Sequence, residues 1–168
     1  SGTHSVCVCT IHQNVKLMIH GSKLEHLTEE HTSRLNGYKE CLSRITCSPA
    51  GPACFLGECA SLDTFRDEVM QVFTDNMVDE VQYMQWTSTD RSTLETLVKP
   101  VEEFVPDFCE KLEALRRHDY IAKQQSLYLT QRKESLQDGE FVVVGDFSEN
   151  YSFVLQDAAQ GFHWNNAQ

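Results

Sequence analysis

No stretch of the 168-residue chain stays apolar for the length of a membrane span, and the opening Ser1-Gly-Thr-His has neither a basic nor an apolar leader region. No membrane partner is expected, and the chain reads as soluble and intracellular. Positive charge is scarce: 14 Lys and Arg stand against 25 Asp and Glu, a formal net charge of −11. Duplex binding is dominated by Lys and Arg neutralising phosphates, so this balance argues against a self-sufficient nucleic-acid-binding domain. Internal repeats and low-complexity runs are also lacking. The seven cysteines are an odd number, and five of the histidines lie at or before His31. Both observations favour metal binding or reduced thiols over a secreted disulfide framework. What is present, 40% hydrophobic and 10% aromatic residues, is enough for one or two ordinary cores.

Ser5-Val-Cys-Val-Cys-Thr-Ile-His12 alternates as a short strand would, with Cys7 and Cys9 on one face and His12 in the turn that follows. Val15, Leu17, Met18 and Ile19 predict a short helix over 13–20 that Gly21 stops. Residues 25–33 are mostly polar, and His26 and His31 are expected to be exposed. Tyr38, Leu42 and Ile45 make a helical stripe after Gly37, and Ser48-Pro-Ala-Gly-Pro then breaks regular structure. Leu62, Phe65, Val69, Val72 and Phe73 predict an amphipathic helix over 63–73 that Asp63 can cap. Residues 80–87 alternate as a strand, with Val81, Tyr83 and Gln85 on one face, and 93–98 returns beside it; a helix starting near Ser92 is the competing reading.

Phe104, Val105, Phe108, Leu112 and Leu115 then form a helical stripe, which Pro106 either kinks or starts. Arg116-Arg-His-Asp is expected to close that helix. Asp119 would cap a second one burying Tyr120, Ile121, Leu127 and Tyr128, so that the two pack as an antiparallel helical hairpin. After Gly139, Phe141 to Val144 reads as a strand buried on both faces, followed by Asp146, a turn and a second strand over 151–156. The fold class is therefore α+β in three parts: a Cys/His-rich zinc-supported module over 1–60, a mainly helical body over 61–138 with a β-hairpin near 80–98, and a β-hairpin over 139–168.

Four constellations carry chemistry. Cys9-x2-His12 and Cys54-x4-Cys59 are short pairs of soft and imidazole ligands such as tetrahedral zinc requires, with Cys7 and Cys47 as alternates. With all four positions filled by protein, such a site would be structural. The same cysteines also fit buried thiols acting as small hydrophobes. A cysteine nucleophile with His12 as its base is the rival use, although the sequence locates no thiolate at a helix N-terminus or beside a cation. Asp146 with Glu149 can hold Mg²⁺ where other carboxylates converge, or simply end a strand by accepting turn hydrogen bonds. Arg116, Arg117, Lys123, Arg132 and Lys133 are the main basic concentration, a solvated face or a phosphate-contacting one. Gly161-Phe-His-Trp-Asn-Asn166 can stack on a base or pack as a loop over the helical body.

As a set, Cys7-Val-Cys-Thr-Ile-His-Gln-Asn14, the Cys54/Cys59 pair, Gln85-Trp-Thr-Ser-Thr-Asp-Arg91, Gly145-Asp-Phe-Ser-Glu-Asn-Tyr151 and Gln160-Gly-Phe-His-Trp-Asn-Asn166 resemble a group of transposon-derived animal proteins. These look like relatives of DDE transposases with an RNase H-like catalytic domain, and the resemblance covers nearly the whole chain. It implies that Asp146 is the first acid of a DDE-type triad, on the first strand of an RNase H-like sheet that residues 139–168 begin. In such enzymes the carboxylates bind Mg²⁺ ions that activate the attack on a DNA phosphate. The remaining acids would lie downstream of Gln168, so this chain alone is expected to be catalytically incomplete. The resemblance further implies a zinc-stabilised segment before the catalytic core, DNA as the partner and a nuclear location. The alternative is a non-catalytic zinc-stabilised interaction module that binds a protein partner or a second copy of itself.

Overall fold

The structure is a computed structural model that describes residues 9–29, 34–56, 61–88 and 92–145. In chain order the elements are α1 (Thr10–Gly21), α2 (Leu24–Leu27), α3 (Tyr38–Arg44), α4 (Pro52–Phe55), α5 (Ser61–Asp75), β1 (Glu80–Ser88), β2 (Ser92–Pro100) and α6 (Val101–Glu134). This is an α+β arrangement, as the sequence predicts. The core gathers on the first half of α6, where Phe104, Val105, Phe108, Leu112 and Leu115 recur at i, i+4 or i+3 and are all buried. Phe65, Val69 and Phe73 of α5 and Val15, Met18 and Ile19 of α1 complete the same cluster. Phe104 stands edge-on to Phe73 at 5.9 Å and to Tyr83 at 5.2 Å, joining α6 to α5 and the sheet.

Strands β1 and β2 pair antiparallel from Glu80↔Pro100 to Ser88↔Ser92, which settles the reading of 93–98 in favour of a strand. Val81 and Tyr83 are buried on the inner face, as the alternation predicts. Helix α1 lies along the outer edge of β1. The Asn14 side chain accepts from Trp86 N at 2.7 Å and donates to Trp86 O at 3.0 Å, so one amide group replaces a neighbouring strand. At the other end of α1, a Cβ on Gly21 would lie 2.6 Å from the Tyr83 Cβ and 2.8 Å from Gln82 O; this approach needs glycine. Asp107 of α6 ties the strands down, accepting from Tyr83 Oη at 3.2 Å and Lys99 Nζ at 3.0 Å and pairing with Lys111 at 3.1 Å. Burial pushes the Asp107 carboxyl upward, but Lys99 and Lys111 more than offset this and hold it below its ordinary range.

Three expectations are corrected. His12 does not lie in a turn after a strand, since α1 already starts at Thr10 with Cys9 as its N-cap. His12, Val15 and Ile19 are all buried, so the helical stripe begins earlier than the alternation of Cys and Val indicates; residues 5–8 lie outside the described residues. The antiparallel helical hairpin is instead one continuous helix of 34 residues, α6. No glycine or proline occurs between Pro106 and Gly139, and Arg116-Arg-His-Asp costs little inside a helix. Pro106 lies near the start of α6, where its missing N–H deprives only the carbonyl of Glu102, an exposed residue. Ile121, Leu127 and Tyr128, expected in a hairpin core, are consequently exposed, and Tyr120 is half-buried. Third, Phe141 to Val144 form no strand and are not buried: Phe141 is 85% and Val143 90% exposed. The returning strand at 151–156 and the 161–166 motif lie outside the described residues.

Elsewhere α3 forms where predicted, Pro52 takes the first turn of α4, and α5 outruns its predicted bounds, with Asp63 in its first turn rather than at its cap. His26 is exposed as expected; His31 lies outside the described residues. Among the described residues no helix is long and apolar enough to cross a membrane.

Candidate metal centre

Cys9 is the extended N-cap of α1, and His12 follows one helical turn later, so the two side chains meet over the first turn. The distance from Cys9 Sγ to His12 Nδ1 is 3.2 Å. Because α6 runs on without a break, its next buried-face position after Leu115 is His118, whose Nε2 lies 3.3 Å from the same sulfur. The ligand atoms of Cys9, His12 and His118 all fall within 4.8 Å of one another, a group able to hold a metal ion. Tetrahedral zinc with ordinary Zn–S and Zn–N bonds sets sulfur and nitrogen about 3.6 Å apart, so a metal fits with shifts of a few tenths of an ångström.

The surroundings orient these groups. His12 is buried, with Tyr38 edge-on at 5.3 Å and the His118 ring at 5.2 Å. Burial is the first cause of a lowered His12 pKa, and the neighbouring His118 adds to it, which favours the neutral imidazole that ligates metals. With Nδ1 turned to the sulfur, His12 Nε2 faces Asp119 Oδ1 at 3.8 Å, and Lys123 Nζ donates to Asp119 Oδ2 at 2.6 Å. A carboxylate behind a ligating histidine fixes its tautomer and raises its basicity.

Of the ligands predicted from the sequence, the structure brings Cys9 and His12 together and adds His118, which the sequence reading missed. The available signal was the stripe 104, 108, 112, 115, whose next member is a histidine. Cys54 is not in the group; its Sγ accepts from Cys47 N at 3.1 Å, and Cys47 is exposed. Cys7 and Cys59 lie outside the described residues, as do Asp146 and Glu149. The end of α4 nevertheless lies beside the turn of α6 that carries His118: Phe55 stacks on Tyr120 at 4.5 Å and Arg117 donates to Leu56 O at 3.3 Å. Of the candidate ligands, Cys54 fits the reading as a small buried hydrophobe; Cys41 and Cys109, which that reading did not include, behave the same way. Both are fully buried, and burial, with Glu40 adding to it, pushes the Cys41 thiol up to about 12. Cys9, by contrast, sits at the N-terminus of α1, a placement the sequence reading did not foresee. Two imidazoles converge on its sulfur, whereas a nucleophile needs only one base.

The basic residues do not form one face. Arg116 is 2% exposed, and its Nη1 donates to Ile45 O at 2.8 Å, so it is a core strut and cannot reach a phosphate. Arg117 and Lys123 are engaged as described, and Arg132 and Lys133 are exposed in the last turn of α6.

Residues 10–116 match the family model described as a domain of unknown function, DUF8700. The chain belongs to the DUF8700 family. Residues 125–168 match a second domain of unknown function, DUF8701. No curated protein and no solved structure matches the sequence. The DUF8700 match takes in the core and the sheet and stops within α6, while the DUF8701 match begins on the exposed half of the same helix. His118 therefore lies on the stretch of α6 that joins the two matched regions.

Proposed function

We propose that residues 9–134 form a non-catalytic interaction module stapled by zinc, the metal joining the start of α1 to the middle of α6. The observation that carries this is the convergence of His118 on Cys9 and His12 across 109 residues of chain. One thiolate and two imidazoles are a donor set suited to zinc, and a fourth protein ligand would close the site as structural centres are closed. Cys7 and Cys59 are the candidates the sequence offers for that position. Zinc held by the folded chain adds its binding free energy to folding, so the apo chain is the less stable form. Elemental analysis of the purified chain should give one zinc per chain, reduced to substoichiometric levels in Cys9→Ala and His118→Ala. A chain free of zinc, with a melting temperature indifferent to added zinc, would remove the reading.

A second reading concerns residues 125–168 and is favoured by the exposure of Phe141 to Val144. These residues are apolar and three of the four are β-branched, yet they pair with no strand among the described residues. Such a segment suits the first strand of an RNase H-like sheet, with Asp146 as one Mg²⁺-binding acid of a DDE-type site. Magnesium-dependent DNA cleavage by a longer chain containing these residues, abolished by Asp146→Asn, is the corresponding test. Cleavage that survives the substitution would sink it.

A further inference from the structure

The two edges of the hairpin are finished differently. Trp86 N and O both bond to Asn14 of α1, so they point away from β2, and Trp86↔Leu94 is a non-hydrogen-bonded pair of the ladder. The Val101 amide donates to Asp79 O at 2.9 Å just beyond the end of the ladder, which fits odd-numbered residues exchanging the bonds. It follows that the amides and carbonyls of Leu94, Thr96 and Val98 point outward from β2. No strand among the described residues pairs with them. Pro100 has no N–H, so the donors of this edge are those three, symmetric about Thr96, and Ser92 next to the loop. Leu94 and Val98 are 44% and 58% exposed on the outward face, beside Met84.

We propose that the partner of the β2 edge is a second copy of this chain. In the proposed dimer, β2 pairs antiparallel with the partner's β2 about a two-fold axis through Thr96, joining two hairpins into one four-stranded sheet. Leu94 exchanges hydrogen bonds with the partner's Val98, Thr96 with the partner's Thr96, and the Ser92 amide meets the partner's Pro100 carbonyl, so every outward donor is used. The same register sets Leu94 directly across from the partner's Val98, an apolar cross-strand pair. On the opposite face Glu95 lies diagonal to the partner's Lys99, so the charges are complementary. Centring the axis on Leu97 instead would set Leu94 opposite the partner's Pro100 and Val98 opposite the partner's Thr96, which loses the apolar pair of Leu94 with Val98. Unpaired edges are usually blunted by charge or proline in mid-strand, and the centre of this one has neither on its outward face. This inference names the partner of the module proposed above and rests on that reading for its role, though not on the metal.

Sedimentation equilibrium on the full zinc-loaded chain tests it. The wild type should show a monomer–dimer equilibrium. Thr96→Pro should weaken it about tenfold or more, because the donor it removes faces the edge and not β1. L94E and V98K should each weaken it as well, with unchanged circular dichroism. The combined L94E/V98K chain should recover, since charges of opposite sign then face each other across the axis. A wild type that stays monomeric up to about 1 mM overturns the inference, that being the weakest association worth the name. So does a dimer indifferent to these variants, and so do Leu94, Thr96 and Val98 amides that exchange slowly in the monomer, which would mean another segment covers the edge. A dimer without zinc counts against the metal alone, and a zinc-bound monomer against the dimer alone.

Discussion

Asp119 and His12 carry the electrostatics of the site. The buried His12 has a folded pKa below its ordinary 6.5, so protonation opposes folding. Its contribution is fully present above the unfolded value near 6.5 and is lost as pH falls from there through the lowered folded value. Chemical denaturation in a chelator should therefore show the metal-free chain weakening below that pH, and His12→Gln should flatten this part of the profile. Asp119 sits behind His12 and is held by Lys123. Asp119→Asn should lower zinc affinity by about 10- to 100-fold in a chelator competition, while the metal-free chain keeps its helical content. An affinity unchanged by Asp119→Asn would mean that the carboxylate does not orient the ligand.

Among the elements, α1 has the tightest fit, because it serves as the third strand of a two-stranded sheet. Gly21→Ala forces a methyl group into Tyr83 and the Gln82 carbonyl, and should cost about 1–3 kcal/mol in denaturant melts. Gly51→Ala is the control: nothing lies within 4 Å of the added atom, and a change within about 0.5 kcal/mol is expected. The stripes of α5 and α6 and the alternation of β1 could be read directly, because burial on one face leaves a period in the residues. The continuity of α6 could not, since Arg116-Arg-His-Asp looks like a helix end when only charge is considered. What decides the matter is the absence of any breaker up to Gly139. Phe141 to Val144 show the opposite limit: β-branched composition permits a strand, but a strand also needs a neighbour to pair with.

For the whole molecule, the half of the metal group close in sequence was legible as Cys9-x2-His12, and the half that closes it was not. Spacing reveals ligands that chelate from one turn; His118 reaches the site only because α6 crosses the core beneath α1. Arg116 shows the same limit, read as surface charge from sequence and found holding the Ile45 carbonyl in the core. The DUF8700 and DUF8701 matches divide α6 between them, so the proposed staple would brace the helix where the core ends and the exposed half begins. The most direct measurement of this account is the zinc X-ray absorption spectrum of the full chain. It predicts at least one sulfur near 2.3 Å and two imidazole nitrogens at about 2.0–2.1 Å, with one nitrogen lost in His118→Ala. A shell of sulfur alone, or one that His118→Ala leaves unchanged, would contradict it.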